Sequence, residues 1–231
     1  KTTAAVGNGA LYLKNTEWYG DEWLLFDNLA NVKRMGLSIE GDITLAEETI
    51  NSQRNNSCAG FGYMAETNGD RVTGSWAALR TDLQDTEISN PDAQRGYIVD
   101  AGKTMGQLTF TEKEILALNK NNQTPTHFKI VFEDDTHTPT VYLNNQEVTY
   151  AKAASDTNTT RGKVGLYIKN ASVKIDNIKV TGEKPELVEE NYLTVDSVSY
   201  DAANKKLNAT VSAGVTDTET AKSGIILMAV Y

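Results

Sequence analysis

The residues best suited to recognition chemistry in this chain of 231 residues fall on one short stretch, Ser75 to Arg80 (SWAALR). If it is a strand, Ala77 and Leu79 turn to a core while Trp76 and Arg80 occupy the opposite face. Arg95-Gly96-Tyr97 supplies a second cation and aromatic, and Tyr63 and Glu66 lie on the strand expected to pair with it. Sugars present apolar ring faces flanked by hydroxyls, so a site for them joins aromatic platforms to side chains that form paired hydrogen bonds. The expected ligand-facing set is Trp76, Arg80, Arg95 and Tyr97, with Tyr63 and Glu66 behind them. The alternative is that Trp76 and Tyr63 are ordinary core or sheet-covering aromatics. A second cluster, Trp18, Tyr19 and Trp23 among Glu17, Asp21 and Glu22, suits either a loop rim or a cap on one end of the fold.

Other reactive types are sparse. The two histidines, His127 and His137, sit beside Thr/Pro-rich turns, and Cys58 has no base next to it in sequence. All three read as structural residues, because a triad or a metal site needs buried partners that spacing alone does not supply. A lone cysteine excludes an internal disulfide. The net charge of −9, without Lys/Arg clusters, disfavours a nucleic-acid partner. No apolar run approaches bilayer length, so no membrane span is expected. The chain opens at Lys1 without a signal-like segment, which reads as an excised or processed fragment; the Thr/Asn/Asp-rich surface fits a secreted bacterial protein, extracellular or at the cell surface.

The elements that must position these residues are strands. Leu37, Ile39, Ile43 and Leu45 alternate with polar residues, as do Phe128, Ile130 and Phe132, followed by Val141 and Leu143. Asn144-Asn145 and Asn68-Gly69 predict tight hairpins. One short helix is expected at Thr111 to Asn119, with Thr111 and Glu114 as a capping box. In Gly162 to Gly182, Val164, Leu166 and Ile168 share a face, as do Val173 and Ile175. The next apolar pair, Ile178 and Val180, follows after one residue too many, which predicts a bulge at Asp176-Asn177. The pattern indicates an all-β, two-sheet antiparallel sandwich or jelly roll over residues 1–182, a linker at 183–190 rich in like charge, and a fresh β pattern over 191–231. That last segment is too short for a whole immunoglobulin-like sandwich of roughly 100 residues. It is read as a partial module or an extension.

The strand order from Gly9-Ala-Leu-Tyr-Leu13 through Leu37–Leu45, Phe128–Phe132 and Val141–Val148 to Gly162–Ile168 and Ile175–Val180 resembles the concanavalin A-like (laminin G-like) jelly rolls over residues 1–182. The tail is similar to the start of an Ig-like module. The resemblance implies a non-catalytic carbohydrate-binding module of a multi-modular secreted or surface protein, with a glycan or polysaccharide as partner. Glucanases of the same superfamily carry Glu-x-Asp-x(1–2)-Glu on one strand, and the nearest match here, Glu40 and Asp42 with Glu47, has the wrong spacing and parity. An enzymatic alternative would use Glu40, Asp42 and Glu66, and a third reading is a protein-binding adhesin or structural module. The resemblance also implies a structural calcium ion as possible cofactor, with Asp176 at the expected bulge as first candidate, joined by Asp27 or Asp42. The alternative there is that Asp176 and Asn177 simply satisfy the bulge backbone.

Overall fold

In the computed structural model the described residues are 2–15, 20–26, 28–46, 57–83, 87, 90, 92–100, 103–107, 124–134, 138–151, 159–183, 192–201 and 206–214. The chain divides into two compact units, Lys1–Pro185 and Glu186–Tyr231. In the first unit the strands are β1 (Thr2–Gly7), β2 (Ala10–Asn15), β3 (Asp21–Leu25), β4 (Val32–Lys33), β5 (Ser38–Leu45), β6 (Cys58–Asn68) and β7 (Arg71–Arg80). They continue as β8 (Gly96–Asp100), β9 (Lys103–Gln107), β10 (Thr126–Val131), β11 (Thr140–Leu143), β12 (Gln146–Val148), β13 (Arg161–Lys169) and β14 (Ser172–Thr181). The first sheet runs β1-β2-β14-β5-β10-β11-β12; the second runs β3-β13-β6-β7-β8-β9, with β4 also on β13. All the strand pairs are antiparallel.

The core follows from period-2 alternation. Ile39, Ile43, Phe128, Ile130, Val141, Leu143, Val173 and Ile175 from the first sheet are fully buried against Phe61, Ala77, Leu79, Ile98, Val164 and Leu166 from the second. Ala77 and Leu79 thus face inward as their spacing predicts, and so does Tyr63, at 1% exposure and with its ring against Phe132. Tyr63 is therefore a core residue and not part of a ligand face.

The phase change in the last long segment is a bulge. Asp176 pairs with Asp42 and Lys179 with Glu40, so three steps on β14 match two on β5. Asn177 takes φ of 50° there, and its N–H donates to Asp176 Oδ1 at 2.8 Å. The extra residue lets Ile178 and Val180 pack on the same core as Val173 and Ile175. A β-branched residue tolerates this left-handed backbone poorly, at a cost of roughly 1–2 kcal/mol. Asn177→Val should accordingly destabilise the fold by about that much more than Asn177→Gly, which loses the same side chain without the backbone strain. Equal urea midpoints for the two variants would remove the bulge from the account.

Asn144 and Asn145 both adopt positive φ in the β11–β12 hairpin, as expected. In the β6–β7 hairpin the turn falls one residue later than the Asn68-Gly69 dipeptide suggests. Asn68 pairs with Arg71, and Gly69 and Asp70 make the turn. The expected helix at 111–119 lies outside the described residues.

Among the described residues the second unit contains one antiparallel pair, β15 (Tyr192–Asp201) with β16 (Lys206–Gly214), with Val195 opposite Val211 and Val198 opposite Ala209. Among the described residues no helix is long and apolar enough to cross a membrane.

Candidate functional site

Strand β6 organises the outer face of the second sheet. Its sequence Cys58-Ala-Gly-Phe-Gly-Tyr63 sends Ala59, Phe61 and Tyr63 into the core and leaves Cys58, Gly60 and Gly62 facing out. Those small positions form a trough covered by aromatic rings from β3, β7 and β13. Trp23 on β3 lies so close over Gly62 that a Cβ there would come within 2.3 Å of the indole. Trp76 on β7 stacks on Tyr167 of β13, with ring centroids 4.2 Å apart and planes 7° from parallel. Trp23 meets the same Tyr167 edge-on at 5.3 Å and 76°, and Tyr97 on β8 meets Trp76 at 6.2 Å and 66°. Tyr167 and Tyr97 are buried, and burial raises both hydroxyls, that of Tyr97 to about 12. The two tryptophans, by contrast, are only half-buried.

Both tryptophans open into a groove of about 750 Å³. Its lining includes Asp21 and Glu22 from β3 and Glu66, Asp70 and Arg71 from the β6–β7 hairpin. Small-molecule sites span roughly 300–1,000 Å³. Of the six residues nominated from sequence, Trp76 and Glu66 reach this groove, and Tyr97 supports Trp76 from the side.

Arg80 and Arg95 do something else. Arg80 is 7% exposed, its Nε donates to Asp82 Oδ1 at 2.9 Å, and its Nη1 donates to the Gln94 carbonyl at 3.0 Å. Arg95, at 3% exposure, donates from Nη2 to the carbonyls of Asn90 at 3.0 Å and Glu87 at 3.3 Å. Burial alone would lower the Arg80 pKa, yet the bond and charge of Asp82 raise it, whereas burial and the adjacent Arg80 lower that of Arg95. The two guanidiniums hold the segment between β7 and β8, which corrects the ligand-facing role expected of them. Parity placed Arg80 on the outer face, but it could not show that the chain folds back over it.

Tyr167 is the site residue that sequence reasoning missed, and Trp23 is expected only within the second aromatic cluster. For Tyr167 the signal existed: with Val164, Leu166 and Ile168 turned inward, it must face out. Trp18 and Tyr19, the other aromatics of that cluster, lie outside the described residues. Cys58 is fully buried, and burial pushes its thiol far up, so it is inert as expected.

The outer face of the first sheet carries Glu40, Asp42 and Asp176, three of the residues expected for catalysis or calcium. Asp42 is hydrogen-bonded to His127 Nδ1 at 2.7 Å and accepts from Asn177 Nδ2 at 2.6 Å. Glu40 faces Lys179 at 3.1 Å, Lys129 at 3.4 Å and His127 Nε2 at 3.8 Å. Burial would raise both carboxyls, but these partners outweigh it and hold both below the usual range. Glu66 belongs to the other sheet, so Glu40, Asp42 and Glu66 do not converge on one substrate. The calcium assignment fits no better. Asp42 and Asp176 do pair across the bulge, yet the oxygens of Asp42 are taken by His127 and Asn177, while Asp176 caps the bulge and faces Lys174 at 3.7 Å. Among the described residues no group of three His, Cys, Asp or Glu side chains is placed to hold a metal ion. Asp27 and His137 lie outside the described residues.

Two antiparallel sheets with this strand order and an aromatic outer face define a lectin-like jelly-roll β-sandwich. Among solved structures the chain is similar to the carbohydrate-binding module CBM66 from Bacillus subtilis, at 14% identity and a TM-score of 0.52 over 79% of this chain and 92% of that one. It is also similar to a Bacillus subtilis protein of unknown function with a galectin-like fold, at 9% identity and a TM-score of 0.54 over 79% of this chain and 87% of that one. At such identities the likeness speaks to the fold. No family model and no curated protein matches the chain.

Proposed function

We propose that this chain is a non-catalytic carbohydrate-binding module that holds a glycan in the groove floored by Trp23 and Trp76. The observation that carries the reading is the pair of half-buried indoles opening into one groove with charged side chains on both banks. Stacked on or edge-packed against Tyr167, the indoles are fixed before any ligand arrives, so little conformational entropy is lost on binding. Carboxylates and a guanidinium beside aromatic faces match the alternation of apolar ring and hydroxyl on a sugar. The lectin-like fold of the structural neighbours supports the same reading, and an extracellular or cell-surface bacterial setting, within a larger multi-modular protein, is the context proposed for it. The division into a jelly roll over 1–182, a linker over 183–190 and a partial Ig-like module over 191–231 belongs to that proposal.

The test is retention of the intact chain on a glycan array, followed by reducing-sugar assays on each hit. Retention without product is expected. Product release would replace this reading with an enzymatic one, and failure to bind any glycan would leave an adhesin or structural role.

A further inference from the structure

Resting on that reading, we infer that the groove selects a cationic glycan chain, one whose sugars carry free amino groups. Two independent features of the groove point to this class. The first is charge. Asp21 and Glu22 contribute from one bank, Glu66 and Asp70 from the other, against the single guanidinium of Arg71. Further cations on this face stand outside the lining: Lys163 has its ammonium on Thr67 Oγ1 at 2.9 Å, and Lys169 is the cross-strand partner of Asp21. A concave surface lined mainly by one sign of charge concentrates ligands of the opposite sign and repels those of its own. A polyuronate or sialylated chain would bring carboxylates against carboxylates.

The second feature is ring geometry. Trp76 lies 7° from the plane of Tyr167 and Trp23 lies 76° from it, so the two indoles stand close to perpendicular around the same groove. Two indoles at that angle cannot both lie flat on one planar surface, so a flat sugar face would use only one of them. Ammonium groups are attracted to aromatic faces, tryptophan best of all. Aromatic faces and carboxylates thus favour the same kind of group. A neutral sugar would use the rings alone.

The test compares four soluble probes on the intact chain at about pH 5.5, where the amino groups of a glucosamine chain, less basic than a lysine amine, are mostly protonated and free carboxylates stay ionised. They are a glucosamine oligomer, its N-acetylated twin, an oligogalacturonate and an oligolysine of matching charge. The glucosamine oligomer should bind about tenfold more tightly than its twin at low salt, and the gap should narrow as ionic strength rises. Glu66→Gln/Asp70→Asn, changed at exposed positions that leave the fold intact, should narrow it as well. Equal or tighter binding of the N-acetylated twin, or preference for oligogalacturonate, overturns the cationic assignment while leaving glycan binding in place. Oligolysine bound as tightly as the glucosamine oligomer would make the groove a basic-peptide site instead. Silence toward all four overturns it too, and glycan binding itself fails only if the whole array is silent.

Discussion

Phe61→Ala should cost about 3–5 kcal/mol of folding stability, the range for a large aromatic removed from a rigid core. Phe61 is fully buried on β6, and its ring stacks on Phe128 of β10 at 5.1 Å and 12°. The two residues belong to different sheets, so this contact is one of the direct joints between them. The ring also reaches over Gly41 on β5, where a Cβ would sit 3.5 Å from its tip and 3.3 Å from the Asp176 carbonyl of the bulge. Its cross-strand neighbours are Ala77 and Leu166. Neither Gly41 nor Ala77 has a side chain able to swing into the void, and the strands around it are locked by their ladders. The cavity should therefore persist. Urea denaturation should show a lower midpoint with an unchanged slope, because the surface exposed on unfolding hardly changes. Phe61→Leu, which fills most of the space, should lose less than about 2 kcal/mol. A loss for Phe61→Ala under about 1.5 kcal/mol would mean that the sheets are not joined at this point.

Much of this sandwich could be read before any coordinates, and the parts that could not share a cause. Alternation is local, so the inward positions of Ile39, Ile43, Phe128, Ile130, Val164 and Leu166 follow from their own strands. The bulge at Asp176-Asn177 was legible for the same reason, since one extra residue between Ile175 and Ile178 breaks the period within a single segment. A like signal, Val195 followed three residues later by Val198, marks the register shift between Val195 and Ser197 in β15. The site is harder because it is built across strands. Parity put Trp76 and Arg80 on one outer face, but whether that face meets solvent depends on what folds over it. At Arg80 the chain between β7 and β8 covers the guanidinium; at Trp76 the groove stays open. The trough of Cys58, Gly60 and Gly62, and the rings of Trp23 and Tyr167 that cover it, depend on β13 lying beside β6 and on β3 lying beyond β13. Strands more than a hundred residues apart in sequence meet there, and no local pattern records that adjacency.

Trp76→Ala should weaken glycan binding by at least about 2 kcal/mol, or roughly thirtyfold, the scale of an aromatic anchor at the centre of a site. The size follows from where the indole sits. One partner, Tyr167, lies parallel to it at 4.2 Å and another, Tyr97, stands edge-on at 6.2 Å, so the ring is braced before a sugar arrives. Truncation removes the stacking surface and also opens the braces to water, turning a preformed platform into a pit. The same substitution should cost less in stability than Phe61→Ala, because Trp76 is only half-buried and its loss leaves the inter-sheet core intact. That difference makes the experiment decisive: a variant that melts close to the parent yet no longer binds identifies a binding residue, whereas a parallel loss of both would not. Trp76→Phe keeps a ring on Tyr167 and should recover part of the affinity. If the alanine variant holds its glycan within twofold of the parent, the indole is merely covering the sheet, and the groove is not where the ligand lies.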